Sequence, residues 1–258
     1  MKNYTRNDWW KDFFNKIYLI TDARSICNPS LTRQEVGLLE EVLDLDKNDR
    51  ILDLCGGYGR HSLELARRGY RDLTVLDFSN YLIRLGRKMA RKAYLNIKFV
   101  RGDARFSGLK ANDYSVIFIM ANSFGYFQDQ RENLLILKES HRLLKRGGRL
   151  LLDLTNPDYV RNNLKRLSWH EASKDVIVCR QRELKGNIIR AREIVISKKK
   201  GLIRDGCYCE QIYNRDRITR LLKGIGFKNL SIKKNISLHK DKRDYGFLTS
   251  RMIVTAVK

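Results

Sequence analysis

The feature that most restricts the fold is an alternation of short apolar runs with helical segments. The runs are rich in Leu, Ile, Val and Phe, and they lie at 51–54, 73–77, 97–100, 114–120 and 149–153. Alternation of strands with helices predicts a parallel sheet with helices on both faces. The run at 114–120 contains no charged residue, as expected for a strand that is buried on both faces.

The alternation stops after Asn156-Pro157, and the next segment has a different pattern. Residues 175–184 and 188–197 are rich in strand-forming side chains, and Lys185-Gly-Asn187 between them is typical of a hairpin turn. Another strand is expected near 202–212. This part of the chain therefore predicts an antiparallel β insertion over residues 157–212.

The end of the chain returns to the first pattern. A helix is expected to begin near Asn214, followed by strands near 227–236 and 250–257. We therefore predict an α/β fold with a seven-stranded, mostly parallel sheet, formed by residues 31–156 and 213–258.

Residues 1–30 precede the alternation and are predicted to form a helical cap. Their aromatic residues have mixed spacing, which indicates helix lying against the rest of the protein: Trp9, Trp10, Phe13, Phe14 and Tyr18. Thr32-Arg-Gln-Glu35 then has the pattern of a capping box, which predicts that the next helix begins at Thr32.

The charge distribution leaves an anionic partner open. The 258 residues include 52 Lys+Arg and 29 Asp+Glu, a net charge of +23. Residues 155–258 hold 25 basic and 10 acidic residues, which leaves +15 in that part. Such a field attracts nucleic acid or acidic small molecules. No single predicted helix or face collects the charge, however.

The cysteine pattern and the apolar content indicate the compartment. Five cysteines at irregular spacing do not suggest a disulfide framework, and too few other ligands accompany them for a metal site. No run reaches the roughly 18 apolar residues that a membrane span needs, and the N-terminus lacks the apolar core of a secretory signal. We expect free thiols, a cytoplasmic protein, no metal and no membrane partner.

A glycine-rich loop joins the first predicted strand to its helix. In Ile51-Leu-Asp-Leu-Cys-Gly-Gly-Tyr-Gly-Arg60, the glycines let the backbone approach a ligand at the carboxyl end of the strand. A dinucleotide loop would have glycine where Ser62 stands, and no Gly-Lys-Ser/Thr follows as in a phosphate loop. A nicotinamide-dependent oxidoreductase is therefore disfavoured.

Acidic residues follow the next two predicted strands. The carboxylate of Asp77 can accept hydrogen bonds from both hydroxyl groups of a ribose. Asp103 can accept a hydrogen bond from the amino group of adenine, while Ala104 leaves room for the ring. Because the ends of three neighbouring strands lie together, these residues predict a nucleoside site.

These segments resemble the motifs of the class I S-adenosylmethionine-dependent methyltransferases. Leu52–His61 resembles the glycine-rich first motif, Val75–Ser79 the acidic second motif and Arg101–Arg105 the third. Asn122–Phe127, followed by Leu143–Gly148, matches a pattern common in the small-molecule branch of that family. The resemblance implies a Rossmann-like fold, S-adenosylmethionine as cofactor and S-adenosylhomocysteine as product.

The resemblance also implies a set of cofactor contacts. The methionine part would lie on the glycine loop with Asp53 near its amino group, Asp77 would bind the ribose, and Phe78 would pack on adenine. The predicted cofactor residues are Asp53, Cys55, Gly56, Gly57, Gly59, Asp77, Phe78, Gly102, Asp103, Ala104, Ala121, Asn122 and Ser123.

The methyl acceptor is expected to meet aromatic residues. A sulfonium methyl group is already activated, so the protein mainly aligns the nucleophile and excludes water. A base is needed only for a protonated nucleophile, and the candidates are Tyr126 and His170. The expected substrate-binding residues are Tyr18, Tyr126, Trp169 and Tyr213. The cap and the insertion would form a lid.

Three kinds of function follow from these patterns. A small-molecule methyltransferase is favoured, because Asn122-Ser-Phe-Gly125 lacks the Asn/Asp-Pro-Pro-Tyr/Phe and Pro-Cys signatures of enzymes that methylate bases. An RNA methyltransferase stays possible because of the basic C-terminal part, although no RNA-binding module is recognised. A non-catalytic nucleoside-binding module conflicts with the intact glycine and acidic motifs. We expect a monomer or a homodimer.

Overall fold

The computed structural model describes residues 5–238 and 249–258. In these residues the helices are α1 (Trp10–Phe13), α2 (Lys16–Thr21), α3 (Ala23–Ile26), α4 (Pro29–Leu43), α5 (Arg60–Arg67), α6 (Asn80–Lys92), α7 (Gln130–Leu143), α8 (Pro157–Asn163) and α9 (Arg215–Ile225). The strands are β1 (Arg50–Leu54), β2 (Asp72–Asp77), β3 (Lys98–Arg101), β4 (Tyr114–Ile119), β5 (Leu144–Thr155), β6 (Leu167–Glu171), β7 (Val176–Lys185), β8 (Ile188–Ser197), β9 (Gly201–Gln211), β10 (Lys228–Ile236) and β11 (Arg251–Val257).

The main sheet has the strand order β10-β11-β5-β4-β1-β2-β3. Strands β1 to β5 pair in parallel, whereas β11 is antiparallel to both β5 and β10. The predicted Rossmann-like, seven-stranded and mostly parallel sheet is therefore confirmed. The parallel pairing brings the carboxyl ends of β1, β2, β3 and β4 to one edge.

The alternation of side chains along the strands builds a core on each face of the sheet. Leu52 of β1 packs on the side that is covered by α7 and α9, whereas Ile51 packs with Leu39 of α4 on the other side. All six residues of β4 are buried. This explains the uninterrupted apolar pattern of that strand, because both of its faces meet helices.

The insertion between β5 and α9 forms a second sheet. Its order is β6-β7-β8-β9, and every pair in it is antiparallel. Gly186 has a φ angle of +61° in the turn between β7 and β8, where the sequence predicts the hairpin. The predicted antiparallel character of the insertion is confirmed.

The N-terminal cap consists of three short helices, α1 to α3. Trp9 is buried and donates a hydrogen bond from Nε1 to the carbonyl oxygen of Tyr126 at 3.3 Å. The cap therefore lies on the loop that follows β4. Residues 1–4 of the predicted cap lie outside the described residues.

The prediction that α4 begins at Thr32 is wrong. The helix begins at Pro29, and the side chain of Asn28 accepts a hydrogen bond from the amide of Leu31 at 3.1 Å. Asn as N-cap and Pro in the first turn provide a stronger start than the Thr32-x-x-Glu35 pattern. The Glu35 side chain instead points into the protein.

A cluster of charged side chains is buried between α4 and the main sheet. Glu35 forms ion pairs with Arg60 and, at 2.7 Å, with Arg251. Arg251 also contacts Asp153 at 2.6 Å. Burial and the neighbouring charge of Arg60 lower the pKa of His61 to about 4, so this imidazole is neutral at pH 7. Each charge in the cluster depends on its partners, because an unpaired buried charge is costly.

No helix in the two described ranges is long and apolar enough to cross a membrane.

We expect the Glu35→Gln substitution to lower the free energy of unfolding by about 3–5 kcal/mol, because it leaves two buried guanidinium groups with one carboxylate. Urea unfolding measures this difference. Glu41→Gln, at an exposed position of the same helix, is the matched control and should change stability by less than about 0.5 kcal/mol. Equal unfolding midpoints for the two variants would show that the cluster does not stabilise the fold.

Candidate functional site

The loop between β1 and α5 has a backbone that favours small residues. Gly57 and Gly59 have φ angles of +60° and +74°, in the left-handed region. A Cβ atom on Gly56 would lie 2.5 Å from Cγ of Asp53 and would collide with that carboxyl group. Cys55 adopts a φ angle of 60°, which is uncommon for a residue with a Cβ atom. The loop therefore keeps its backbone close to the carboxyl end of β1.

Asp53 lies buried beneath this loop. Its Oδ2 atom accepts a hydrogen bond from the Ser62 hydroxyl at 2.9 Å, and its Oδ1 atom is buried with no hydrogen-bond partner in the described part of the chain. Burial raises the pKa of Asp53 to about 7. A buried carboxyl with one unused oxygen can receive a positively charged or hydrogen-bonding ligand group.

Asp77 at the end of β2 fixes the glycine loop. Its Oδ2 atom accepts a hydrogen bond from the amide of Gly57, and its Oδ1 atom accepts one from the amide of Ser79, both at 2.8 Å. Burial raises the pKa of Asp77, although the backbone donors oppose this. A carboxylate has about four acceptor positions, so both oxygens can still accept hydrogen bonds from a diol.

Asp103 follows β3 and is already engaged by a cation. Arg105 approaches its Oδ2 atom at 2.5 Å through Nη2. Burial raises the pKa of Asp103, but the hydrogen bonds from Arg105 outweigh this effect. The pKa of Asp103 is therefore lowered, and the side chain stays ionised. Any group that Asp103 binds must therefore share it with Arg105, a pairing that the sequence pattern alone does not show.

A single cavity of about 60 Å³ lies over the ends of β1, β2 and β3. Seven of the predicted cofactor residues line it: Cys55, Asp77, Phe78, Gly102, Asp103, Ala104 and Ser123. The indole ring of Trp10 forms one wall, with its centroid 4.6 Å from that of Phe78. The structure therefore brings the three predicted motifs together, and it adds an aromatic residue of the cap.

The turn after β4 is held by Asp153, a member of the buried charge cluster beneath α4. Ala121 and Asn122 have φ angles of 55° and 57°. The amide of Ala121 donates to Oδ2 of Asp153 at 2.8 Å, and the amide of Asn122 donates to its carbonyl oxygen at 3.2 Å. The Oδ1 atom of Asn122 is buried and has no partner among residues 5–238 and 249–258.

Arg60 follows the glycine loop and is a buried cation that the sequence reasoning did not single out. Its Nη1 atom bonds Glu35 and, at 3.0 Å, the Thr32 hydroxyl, whereas its buried Nη2 atom makes no hydrogen bond within the described chain. The charge of Arg60 partly opposes the effect of burial, which raises the pKa of Asp53. A cation in the first turn of a helix is unfavourable, because it opposes the helix dipole. The position of Arg60 at the start of α5 was therefore the sequence signal that could have singled it out.

Tyr18 and Tyr126 lie at the same site. The Phe14 ring is stacked on Tyr126 at 5.4 Å and meets Tyr18 edge-on at 5.0 Å. Tyr126 lines the cavity, and the charges that act on Tyr18 include those of Arg60 and Asp77. Burial raises the pKa of both phenols above the usual range. Phe14, Tyr18 and Tyr126 together form an aromatic wall beside the glycine loop.

The structure places three other predicted residues elsewhere. Trp169 lies on the edge strand β6 and is 71% exposed. Nε2 of His170 lies 3.2 Å from the carbonyl oxygen of Thr21 in the cap, and burial lowers the pKa of this imidazole. Tyr213 is buried against Phe124. None of the three is among the described residues that line the cavity over β1, β2 and β3. His170 as base and Trp169 and Tyr213 as substrate contacts therefore stay predictions.

Comparison with known proteins agrees with this geometry. Residues 51–148 match the family described as a methyltransferase domain. Residues 51–148 of the chain therefore carry a methyltransferase domain. The matched range of this methyltransferase domain contains the glycine loop, Asp77 and Asp103.

The relatives match the methyltransferase domain over part of their length. The ubiquinone/menaquinone biosynthesis C-methyltransferase UbiE of Sinorhizobium fredii is 36% identical over 110 residues, which are 41% of each chain. A demethylmenaquinone methyltransferase of Listeria welshimeri is 27% identical over 124 residues, 46% of this chain and 50% of that protein. The chain thus spans about two fifths to one half of the length of these relatives.

Solved structures resemble the chain over most of its length. An S-adenosylmethionine-dependent methyltransferase from Clostridium acetobutylicum has a TM-score of 0.72 at 17% identity and covers 93% of this chain and 96% of its own. The CcbJ methyltransferase from Streptomyces caelestis has a TM-score of 0.69 at 19% identity, covering 88% and 94%. At 17% and 19% identity, this structural similarity establishes the fold alone.

Proposed function

We propose that this protein is an enzyme that transfers the methyl group of S-adenosylmethionine to a nucleophile of a small-molecule acceptor. The observation that carries the proposal is the single cavity in which Cys55, Asp77 and Asp103 meet. The adenosyl part would lie there, with its ribose at Asp77 and its adenine between Phe78 and Ala104.

Two buried atoms that have no hydrogen-bond partner among the described residues match the amino-acid end of the cofactor. The unused Oδ1 atom of Asp53 would accept a hydrogen bond from the ammonium group, and the unused Nη2 atom of Arg60 would bind the carboxylate. A charged ligand that satisfies both groups would remove the cost of leaving them unpaired.

The bound cofactor supplies a methyl group on a positively charged sulfur. The protein's part is to orient the acceptor and to exclude water. The aromatic wall of Phe14, Tyr18 and Tyr126 can do both, since these side chains are packed against each other beside the glycine loop.

A small acceptor fits the closed cap better than RNA does. The cap covers the loop after β4, and basic residues of the insertion are engaged in ion pairs, such as Arg180 with Glu193 at 2.6 Å and Lys198 with Glu171 at 2.6 Å. The UbiE relatives bear the name of quinone biosynthesis enzymes, which also supports a small acceptor.

The five unpaired thiols support a cytoplasmic location.

The cap acts in this proposal as a lid that must open for the cofactor. Small-molecule sites usually measure roughly 300–1,000 Å³, whereas the cavity beside Trp10 measures about 60 Å³. The Nε1 atom of Trp10 is buried with no partner in the described chain. Trp10 therefore has to move when the adenosyl group enters.

We expect S-adenosylhomocysteine to change the tryptophan fluorescence of the protein, because the surroundings of Trp10 change when the lid opens. In a fluorescence titration, Trp10→Phe should lose most of this change. Trp169→Phe removes an exposed indole on β6 and should retain it. A full signal from the Trp10→Phe protein would argue against the lid.

Arg60→Met should weaken binding of S-adenosylhomocysteine by roughly tenfold or more, as expected for loss of a charge-assisted hydrogen bond to the carboxylate. Calorimetry should show unchanged binding of 5′-methylthioadenosine, which has the same nucleoside and thioether but lacks the amino-acid group.

Asp77→Ala is the matched comparison for Arg60→Met, because both ligands contain the ribose. This variant should lose binding of S-adenosylhomocysteine and of 5′-methylthioadenosine alike. If it binds either ligand as tightly as the wild type does, the ribose is not bound at Asp77. Equal losses of both ligands in the Arg60→Met protein would show that Arg60 only supports the fold.

Transfer itself is tested with S-adenosylmethionine that carries a labelled methyl group. We expect label to enter the small-molecule fraction of a cell extract and not the RNA fraction, with no transfer by the Asp77→Ala protein. Label in RNA would support an RNA methyltransferase. Tight cofactor binding without transfer to either fraction would indicate a non-catalytic module.

A further inference from the structure

A second cavity, of about 670 Å³, lies between the N-terminal cap and the second sheet. Residues 5–13 line it on one side, and strands β7, β8 and β9 line it on the other. We call it the insertion cavity, and the cavity over β1, β2 and β3 the cofactor cavity. Small-molecule sites usually measure roughly 300–1,000 Å³, so the insertion cavity has the volume for a ligand of its own. The cofactor cavity, at about 60 Å³, has no space for an acceptor beside the adenosyl group.

The aromatic wall separates the two cavities. Its members Phe14 and Tyr126 line the cofactor cavity, whereas Trp9 and Phe13 line the insertion cavity. The ring centroids of Trp9 and Tyr126 are 5.2 Å apart, and those of Phe13 and Phe14 are 5.6 Å apart. The hydrogen bond from Nε1 of Trp9 to the carbonyl oxygen of Tyr126 joins the two sides directly. Only these packed rings therefore stand between a ligand in the insertion cavity and the cofactor.

The charged residues that line the insertion cavity are mostly basic. They are Arg6, Arg190, Arg192, Arg204, Asp12 and Asp205. Arg6 forms an ion pair with Asp12 at 3.3 Å, and Arg192 forms one with Asp205 at 2.5 Å. Arg204 forms an ion pair with the buried Glu193. Three of the four arginines are thus matched by carboxylates, and Arg190 is the fourth.

Arg190 on β8 forms no ion pair in the part of the chain that the structure describes. Its Nη2 atom lies 3.4 Å from Oε1 of Gln128, which is long for a hydrogen bond. Its buried Nε atom has no hydrogen-bond partner among residues 5–238 and 249–258. Glu183 lies opposite Arg190 in the pairing of β7 with β8 but forms no ion pair with it. A guanidinium group in this state can bind a carboxylate or phosphate through two parallel hydrogen bonds.

The second sheet positions Arg190 close to the aromatic wall. Cys209 on β9 lies opposite Arg190, and its thiol donates to the carbonyl oxygen of Tyr126 at 3.4 Å. The indole of Trp9 donates to the same oxygen. A ligand whose acidic group binds Arg190 can therefore lie along Trp9 and point its other end toward Tyr126.

We propose that the insertion cavity binds the methyl acceptor and that this acceptor is a small acid. Its carboxylate or phosphate group binds Arg190, and its apolar body packs on Trp9 and Phe13. This inference depends on the proposed function. An anion supplies the charge that Arg190 lacks, whereas a neutral or cationic acceptor leaves this guanidinium unmatched.

The movement of the cap that admits the cofactor also opens the path between the two cavities. Trp9 directly precedes Trp10, which is the first residue of α1. When Trp10 moves to admit the adenosyl group, its neighbour Trp9 is drawn away from Tyr126. The acceptor then stays anchored at Arg190 while its nucleophile reaches the methyl group past Tyr126.

The first test measures binding of two acids by calorimetry, with and without S-adenosylhomocysteine. The probes are benzoate and phenyl phosphate, and benzyl alcohol is the neutral comparison. We expect at least one acid to bind about tenfold or more tightly than the alcohol. Tighter binding of benzoate would indicate a carboxylate acceptor, and tighter binding of phenyl phosphate would indicate a phosphate.

Two variants separate a specific contact from general attraction of anions. Arg190→Gln should abolish the preference for the acid while the affinity for S-adenosylhomocysteine stays unchanged. Arg91→Gln removes the same charge at an exposed position of α6 and should retain the preference. Equal behaviour of the two variants would show that the acid does not bind at Arg190.

A second measurement locates the bound acid without any variant. Cys207 lines the insertion cavity, whereas the exposed Cys27 does not. We expect a saturating concentration of the acid to slow alkylation of Cys207 by N-ethylmaleimide severalfold and to leave Cys27 unaffected, as followed by mass spectrometry of peptides. Binding of the acid with no protection of Cys207 would place the ligand elsewhere and overturn the inference.

The class of acceptor is checked on the product of the labelled transfer reaction. The labelled small molecule should be retained by an anion-exchange resin at pH 8, since it keeps its acidic group. An unretained product, or equal binding of acid and alcohol to the wild type, would overturn the inference. Failure of S-adenosylhomocysteine to bind the wild type would instead contradict the proposed function, so the two failures are distinguishable.

Discussion

One buried carboxylate between two guanidinium groups holds the parts of the methyltransferase domain together. Glu35 on α4 binds Arg60, which starts α5, and Arg251 on β11. Arg251 in turn binds Asp153, which accepts the amide of Ala121 at the end of β4. Because a buried charge is tolerated only with its partners in place, this chain of contacts sets both the glycine loop and the β4 turn. The start of α5 and the turn after β4 thus depend on one cluster.

The same arrangement recurs between the cap and the insertion. Glu193 on β8 is buried between Arg180 and Arg204, and Arg180 also binds Asp22 of the cap at 3.0 Å. The guanidinium of Arg204 lies 4.2 Å from the ring centroid of Phe13. The cap and the second sheet are therefore joined by paired charges and aromatic contacts. Part of the positive charge that suggested an anionic partner is neutralised inside the protein.

Local patterns predicted the fold well, whereas they did not indicate which side chains from distant parts of the chain meet. The glycine loop and Asp77 were found from the sequence because turn geometry and strand ends are encoded over a few residues. The start of α4 was placed wrongly at Thr32, since Asn28 competes for the same role. His170 was expected near the substrate. In the structure its Nε2 atom lies 3.2 Å from the carbonyl oxygen of Thr21 in the cap, a contact between residues far apart in the chain that no local pattern indicates.

By itself, the sequence determined the order of strands and helices, the antiparallel insertion and the cofactor motifs, because side-chain periodicity and backbone conformation at glycine are local properties. Only the tertiary structure decided which buried charges meet. Glu35 and Arg251, or Thr155 and Glu210, are far apart in the chain and touch because strands from both halves pack against each other. The role proposed for Arg60 therefore comes from burial and from a nitrogen atom without a hydrogen-bond partner in the described chain, which only folding creates.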